Sequence, residues 1–203
     1  MSEGQRVAWD RKYGVQGALW SRDHEVWFEV GEGARVLDLG SGSGKSCASL
    51  GGEVIATDFS MVALKLAGGP PPKAAKVCCD AARLPFCDSY FDFVRASFIL
   101  GHMKADERKA AICEISRTLK AGGTLALEVF STSDARFIRK KGHGGRANAS
   151  RDGILHHYFD KGEIEALLVP FEVRSIDEVT WSQRIGPKEA MKRSVIRVLA
   201  VKP

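Results

Sequence analysis

Residues 38–46 read DLGSGSGKS, a glycine-dense stretch between an acid and a lysine. Two ligand-binding templates come close, and both fail. A phosphate-cradling P-loop needs glycine, four residues, then Gly-Lys-Ser/Thr. Here only three residues separate Gly40 from Gly44-Lys45-Ser46, and the position five before Gly44 is Leu39. A nest of amides built on this spacing is one residue short. A dinucleotide turn needs G-x-G-x-x-G. Gly40 and Gly42 meet that pattern, but Lys45 stands where the third glycine is required.

The carboxylates around the loop decide what it can hold. Asp38 lies two residues before Gly40, and Asp58 lies 18 residues after it. A carboxylate beside the turn repels a triphosphate or pyrophosphate and suits a ligand with an ammonium group. Asp58 can accept both hydroxyls of a ribose. Asp80 closes a later apolar run and can accept an adenine amino group, with the amide of Ala81 beside the ring. Glycines let the ligand approach the backbone closely. The ligand implied is a nucleoside with cationic character and no phosphate. S-adenosylmethionine, with its amino group, sulfonium and adenosine, has that description. Each acid also has a plainer use. Asp38 could orient the loop backbone, Asp58 could be an N-terminal helix charge beside Ser60, and Asp80 could be a turn residue.

These groups need elements to carry them. ARVLDL (34–39), EVIATD (53–58), AKVCCD (75–80), FDFVRAS (91–97) and GTLALEVF (123–130) read as five short apolar strands. Helical segments fall between them: Lys45–Leu50, Ser60–Leu66 with Ser60 as N-cap, and Ala105–Leu119 with Ala111, Ile112, Ile115 and Leu119 on one face. Gly122-Gly123 reads as a helix C-cap signal. Lys161–Leu168 reads as a further helix, and Phe171–Trp181 and Ser194–Val201 as two strands with no crossover helix between them. Strands alternating with helices predict an α/β, Rossmann-like, doubly wound, mainly parallel sheet. The late strand pair predicts an antiparallel closure and seven strands in all. The three acids would then line one crevice at the carboxyl ends of the first three strands. Trp9 and Tyr13 are four apart and Trp20 and Trp27 seven apart, which are helical spacings.

VLDLGSGSG, VIATDFS, CCDAARLPF, YFDFVRASFILGHM and EISRTLKAGGTLALEV follow one another as do the motifs of class I S-adenosylmethionine-dependent methyltransferases. The chain resembles that family over about residues 33–130. The resemblance implies that Gly40, Ser41 and Gly42 face the methionine part of the cofactor, with Asp38 beside them. It implies Asp58, with neighbouring Phe59, on the ribose, and Asp80 and Ala81 at the adenine. Family members often use an N-terminal aromatic helix as a lid. Residues 1–32 would be that lid, with Tyr13 at the cofactor and Trp20 toward the substrate. Plain packing is the other reading of Trp9, Tyr13 and Trp20.

Methyl transfer is an in-line displacement that mainly needs alignment and exclusion of water. A general base helps only where the nucleophile must lose a proton. The segment Arg95–Met103 would lie beside the methyl group, and His102 is its candidate catalytic base, or else a helix-start histidine. That segment has neither the Asn/Asp-Pro-Pro-aromatic motif of amino-directed DNA methyltransferases nor a Pro-Cys nucleophile, so DNA is not an expected substrate. From Ala135 to Arg151 there are six Lys or Arg residues and no acid. This basic run ends near His156-His157-Tyr158-Phe159, and residues 131–160 would form a substrate-side insertion. Arg139, His156, His157 and Tyr158 are the candidate substrate residues. The run suits a small anionic methyl acceptor. tRNA or another RNA is the alternative, although aromatics are not interleaved with the cations as base-stacking readers require. A solvated loop is the third reading, and a regulatory subunit that binds S-adenosylmethionine without turnover is a fourth.

The chain has 203 residues, 27% of them charged and 44% hydrophobic, with a net charge of +5. That size predicts one domain over 1–203. The polar N-terminus has no signal-peptide core, and no apolar run approaches a membrane span. A cytoplasmic protein with no membrane partner is therefore expected. Five cysteines without a C-x-x-C pair predict free thiols and no metal. Adjacent Cys78 and Cys79 would point to opposite faces of a strand.

Overall fold

The computed structural model describes residues 2–19, 26–44, 47–67, 74–141, 148–184 and 190–203. Strand β1 (Arg35–Leu39) is almost wholly buried, as its apolar run requires. Strands β2 (Glu53–Asp58), β3 (Ala75–Cys78), β4 (Phe91–Ser97) and β5 (Leu119–Phe130) run parallel to it. Two long strands, β8 (Glu172–Arg184) and β9 (Ala190–Val201), pair antiparallel, and β9 pairs antiparallel with β5. The seven-stranded order is β3-β2-β1-β4-β5-β9-β8. A sheet of this kind reverses its winding between β1 and β4, and a crevice opens there at the carboxyl ends of the strands.

Two further strands, β6 (Asn148–Arg151) and β7 (Ile154–His157), form a separate antiparallel hairpin. They were not expected from the sequence, nor was α4 (Ala135–Lys141). The described parts of the basic run are therefore a helix and a hairpin strand. The described part of this segment has no strong period of its own, so its structure comes from what it packs against.

Helix α3 (Ala105–Thr118) buries Ala111, Ile112 and Ile115 against the sheet. It begins where the Glu107 carboxylate accepts a hydrogen bond from the Lys104 amide at 2.8 Å. Its far end organises the segment after β3. Arg117 donates to the carbonyls of Leu84 and Phe86, and Glu114 accepts from the Leu84 amide. Gly122-Gly123 does not cap this helix. Leu119 is the C-cap residue, and the glycines lie inside β5. A Cβ on Gly123 would come within 2.9 Å of the Leu119 side chain and the Lys120 carbonyl, so the glycine there serves a close approach. The expected helix over Lys45–Leu50 is reduced, in its described part, to one 3₁₀ turn at Cys47–Ser49. Strand β3 stops at Cys78, two residues before its expected end.

Helix α1 (Glu3–Gln16) is shorter than the expected lid, and Trp27 lies outside it, packed on Phe28. Three long-range contacts hold α1 over the carboxyl edge of the sheet. Gln5 Nε2 donates to the His102 carbonyl at 2.9 Å, and Gln5 Oε1 accepts from the Leu155 amide at 3.3 Å. Asp10 accepts from the Ser60 hydroxyl at 2.6 Å, while the same Ser60 oxygen caps α2 (Met61–Leu66) through the Ala63 amide. Helix α5 (Lys161–Leu167) starts at Asp160, whose carboxylate caps the Glu163 amide.

The other end of the sheet is tied by one buried acid. Asp134 accepts from Arg193 Nε at 2.7 Å and from the Ser194 amide at 3.1 Å, and it caps the Arg136 amide at the start of α4. Removing it strands Arg193, which is 3% exposed. Asp134→Ala should therefore lose about 3 kcal/mol of stability, read as a lower urea midpoint at unchanged m. A loss below roughly 1 kcal/mol would show that the pair is not holding the sheet to α4.

Candidate functional site

The turn after β1 is shaped by glycines with positive φ at Gly40, Gly42 and Gly44. Its conformation is tied to β2 by two hydrogen bonds. The Ser41 amide donates to the Thr57 carbonyl at 2.8 Å, and the Gly42 amide donates to Asp58 Oδ2 at 2.9 Å. The second Asp58 oxygen accepts from the Ser60 amide at 2.8 Å. One carboxylate thus joins the glycine turn to the start of α2. Burial pushes the Asp58 pKa up to about 6, against the lowering by its amide donors.

A cleft of about 940 Å³, solvent at its mouth included, opens over this turn. Gly40, Ser41, Gly42, Asp58, Phe59, Ala81 and Tyr13 all line it. Tyr13 is the roof over the glycines: a Cβ on Gly42 would lie 2.6 Å from the Tyr13 hydroxyl oxygen. Burial, and then the Asp58 charge, push the Tyr13 phenol well above its ordinary range.

Two of the expected cofactor acids are placed differently. Asp38 is not among the residues lining the cleft. Its two oxygens accept from Arg95 Nη1 at 3.1 Å and from Cys47 Sγ at 2.8 Å. Asp80 is not a lining residue either, and its carboxylate accepts from the Ala82 amide at 2.9 Å, closing a turn. It is the neighbours Cys79 and Ala81 that face the cleft.

Sequence reasoning did not single out Arg95, Ser97 or Phe98, which also line it. Arg95 carried a signal, since a charge inside the apolar run FDFVRAS must find a partner when buried. Phe98 has φ of 63° and stacks on Phe130 at 4.5 Å, a turn that no local pattern announces.

His102 is buried at the cleft wall. Its Nδ1 lies 2.7 Å from the Leu155 carbonyl, which can only accept. The proton therefore sits on Nδ1, and Nε2 keeps its lone pair. Burial, which outweighs the Leu155 bond, pushes the pKa down to about 4, so the ring is neutral at physiological pH. The Trp9 ring meets it edge-on at 4.9 Å and the His156 ring at 5.0 Å.

A second cleft opens on the far side of this stack. Trp9, His102, Phe130, His156 and Tyr158 form its walls, and Lys12, Arg136, Arg139 and Asp152 its charged part. Trp9 and His102 line both clefts. His157 is not in either. Its Nε2 sits 2.8 Å from both Glu163 carboxylate oxygens, and its ring packs edge-on against Phe159. The reason is strand alternation: His156 and His157 are adjacent on β7 and leave it on opposite faces. Trp20 lies outside the described residues, as does part of the basic run, residues 142–147. Among the described residues there is no His, Cys, Asp or Glu cluster fit for a metal.

Residues 37–127 match the sequence family described as "Methyltransferase domain". An S-adenosylmethionine-dependent methyltransferase of Methanosarcina mazei superposes with a TM-score of 0.73 at 27% identity, covering 85% of this chain and 94% of that one. Over residues 37–127 the chain carries a methyltransferase domain of the class I S-adenosylmethionine-dependent kind. Within that family, demethylmenaquinone methyltransferases of Mycobacterium bovis and Mycobacterium tuberculosis are 38% identical to it over 120 residues. Those 120 residues are 58% of this chain and 50% of each relative, so the match spans about half the length of these curated relatives. A 1,6-didemethyltoxoflavin-N1-methyltransferase of Burkholderia thailandensis, solved with S-adenosylhomocysteine, shares the fold at a TM-score of 0.61 and 20% identity, over 98% of this chain and 78% of that one.

S-adenosylmethionine is the cofactor of the family, and this cleft fits it on its own chemistry. Ser41 Oγ is buried with no hydrogen-bond partner among the described residues, which leaves a polar atom for a ligand to satisfy. Gly40 and Gly42 leave the turn bare of side chains.

Two outcomes follow for the cofactor cleft. A ribose hydroxyl donates to a carboxylate, so protonating Asp58 competes with binding. With the Asp58 pKa near 6, S-adenosylhomocysteine should bind about tenfold more weakly at pH 5 than at pH 8 by calorimetry. A flat profile would remove Asp58 from the ribose. Separately, Gly42→Ala should abolish measurable binding, and adding Tyr13→Phe, which removes the clashing oxygen, should restore part of it.

Proposed function

We propose that this chain transfers a methyl group from S-adenosylmethionine to a small acceptor held in the second cleft. One observation supports this above the others: Trp9 and His102 belong to the walls of both clefts. The two clefts therefore meet at Trp9 and His102, and an acceptor in the second can bring its reacting atom to the edge of the first. Bound cofactor supplies an electrophilic methyl group on a sulfonium.

The chain's own residues do the rest. Gly40, Ser41 and Gly42 face the methionine part, Asp58 accepts from the ribose, and Phe59, Cys79 and Ala81 flank the adenine. Tyr13 and Trp9 close the cleft from above and exclude water. His102, proton on Nδ1, presents Nε2 to an acceptor hydroxyl or amine and orients its lone pair toward the methyl group. At a pKa near 4 the ring is neutral with Nε2 open to the acceptor's hydrogen bond, and the proton the acceptor loses passes through Nε2 to solvent. The walls Phe130, Tyr158 and His156 suit a flat ring, and Arg136, Arg139 and Lys12 suit an acceptor with negative charge. The mycobacterial relatives, by their names, act on demethylmenaquinone, a ring acceptor in keeping with such walls.

The test has two stages. Calorimetry with S-adenosylhomocysteine, with ATP and NAD as controls, should show saturable binding of the first ligand only, weakened about tenfold or more by Asp58→Ala. Labelled S-adenosylmethionine should then methylate members of a panel of quinols, phenols and aromatic carboxylates, with bulk tRNA as a further arm. His102→Gln should lower kcat about 100-fold and leave S-adenosylhomocysteine binding within about threefold. Labelling of tRNA alone would overturn the small-molecule assignment. Binding without transfer to any arm would favour a regulatory protein.

A further inference from the structure

The cofactor of this family ends in an amino acid, which carries an ammonium and a carboxylate together. The sequence suggests that Asp38 meets the ammonium. In the fold, Asp38 is 1% exposed, lies away from the cleft lining, and has both oxygens engaged by Arg95 and Cys47. The group that faces the cleft at this point is Arg95. The two residues are register partners on neighbouring strands β1 and β4, so their side chains leave the sheet on the same face.

Arg95 is 7% exposed. Among the described residues its one hydrogen bond runs from Nη1 to Asp38 Oδ1, at 3.1 Å. A guanidinium has five N–H donors, and none of its other nitrogens is sealed from the cleft without a partner. The remaining donors therefore reach the cleft space. A second polar group is short of a partner in the same place: the buried Ser41 Oγ, on the turn that follows Asp38. A cation with spare donors and an unsatisfied hydroxyl lining one cleft suit an anion.

We propose that Arg95, with Ser41, binds the carboxylate of the cofactor's amino-acid end, and that Asp38 is a positioning residue which holds the guanidinium in place. This rests on S-adenosylmethionine being the cofactor. The pairing puts a positive group, not a negative one, at the methionine end of the cleft. The chain should therefore discriminate against nucleoside thioethers that keep the amino group and lack the carboxylate.

The experiment compares S-adenosylhomocysteine with decarboxylated S-adenosylhomocysteine by calorimetry. The wild-type chain should favour the first by about 10- to 100-fold, the value of a charge-assisted contact. Arg95→Met should reduce that preference to within about threefold. The single variant leaves Asp38 buried and unpaired, so Asp38→Asn with Arg95→Met is measured beside it, with a cooperative thermal melt as the check on folding. The double variant should show the same collapse of preference. Equal binding of both ligands by the wild type overturns the proposal, and so does a preference that survives in the folded double variant. If the wild type binds neither ligand, the cofactor reading itself falls, whereas tight binding of both leaves that reading intact and sinks only the role of Arg95.

Discussion

One carboxylate holds the described site together. Asp58 accepts from the Gly42 amide on one oxygen and from the Ser60 amide on the other. A glycine turn with three positive φ angles has little to hold it in one shape. Here the end of β2 supplies the constraint, through Asp58 and the Thr57 carbonyl. Ser60 passes it on, since its hydroxyl both caps α2 and reaches Asp10 on α1. The turn, α2 and α1 are thereby one hydrogen-bonded unit. The cost is a partly desolvated carboxylate, visible in its raised pKa.

The wall between the two clefts has a different basis. It is aromatic, with Trp9, His102 and His156 meeting edge to face at about 5 Å. It is held by hydrogen bonds among three segments. Leu155 takes the His102 ring proton on its carbonyl and gives its amide to Gln5, which in turn reaches the His102 carbonyl. Helix α1, the turn after β4 and the hairpin strand β7 meet at these bonds. Burial keeps the imidazole neutral, and the Leu155 carbonyl fixes its tautomer, so the ring's state follows from the fold.

Much of this architecture was legible in the chain. Five apolar runs ending in turn residues became β1 to β5, and the absence of a crossover helix between the last two runs became an antiparallel hairpin. Glycine spacing and Asp58 pointed to the cleft that formed. The misreadings share a cause. Gly122-Gly123 looked like a cap, but its glycines answer to a close approach of Leu119 inside a strand. His156 and His157 looked like one pair, but strand alternation sends them to different neighbours. Helix α4 and the β6–β7 hairpin had no strong period. They take their shape from the tie between Asp134, just before α4, and the distant Arg193, and from Gln5 and His102 on other elements.

The sequence by itself determined what depends on near neighbours: strand and helix type from apolar spacing, turn position from glycine, the cap at Ser60, and the rejection of a phosphate loop from a one-residue shortfall. Tertiary structure alone decided what depends on groups brought from far along the chain. Arg95 finds Asp38 across 57 residues, and His102 finds Leu155 across 53. The apolar run around Arg95 marks only the need for a partner; which group meets the guanidinium or the ring nitrogen is set by what the fold places beside it. Those two partnerships set which charge faces the cofactor cleft and which nitrogen of the imidazole keeps its lone pair.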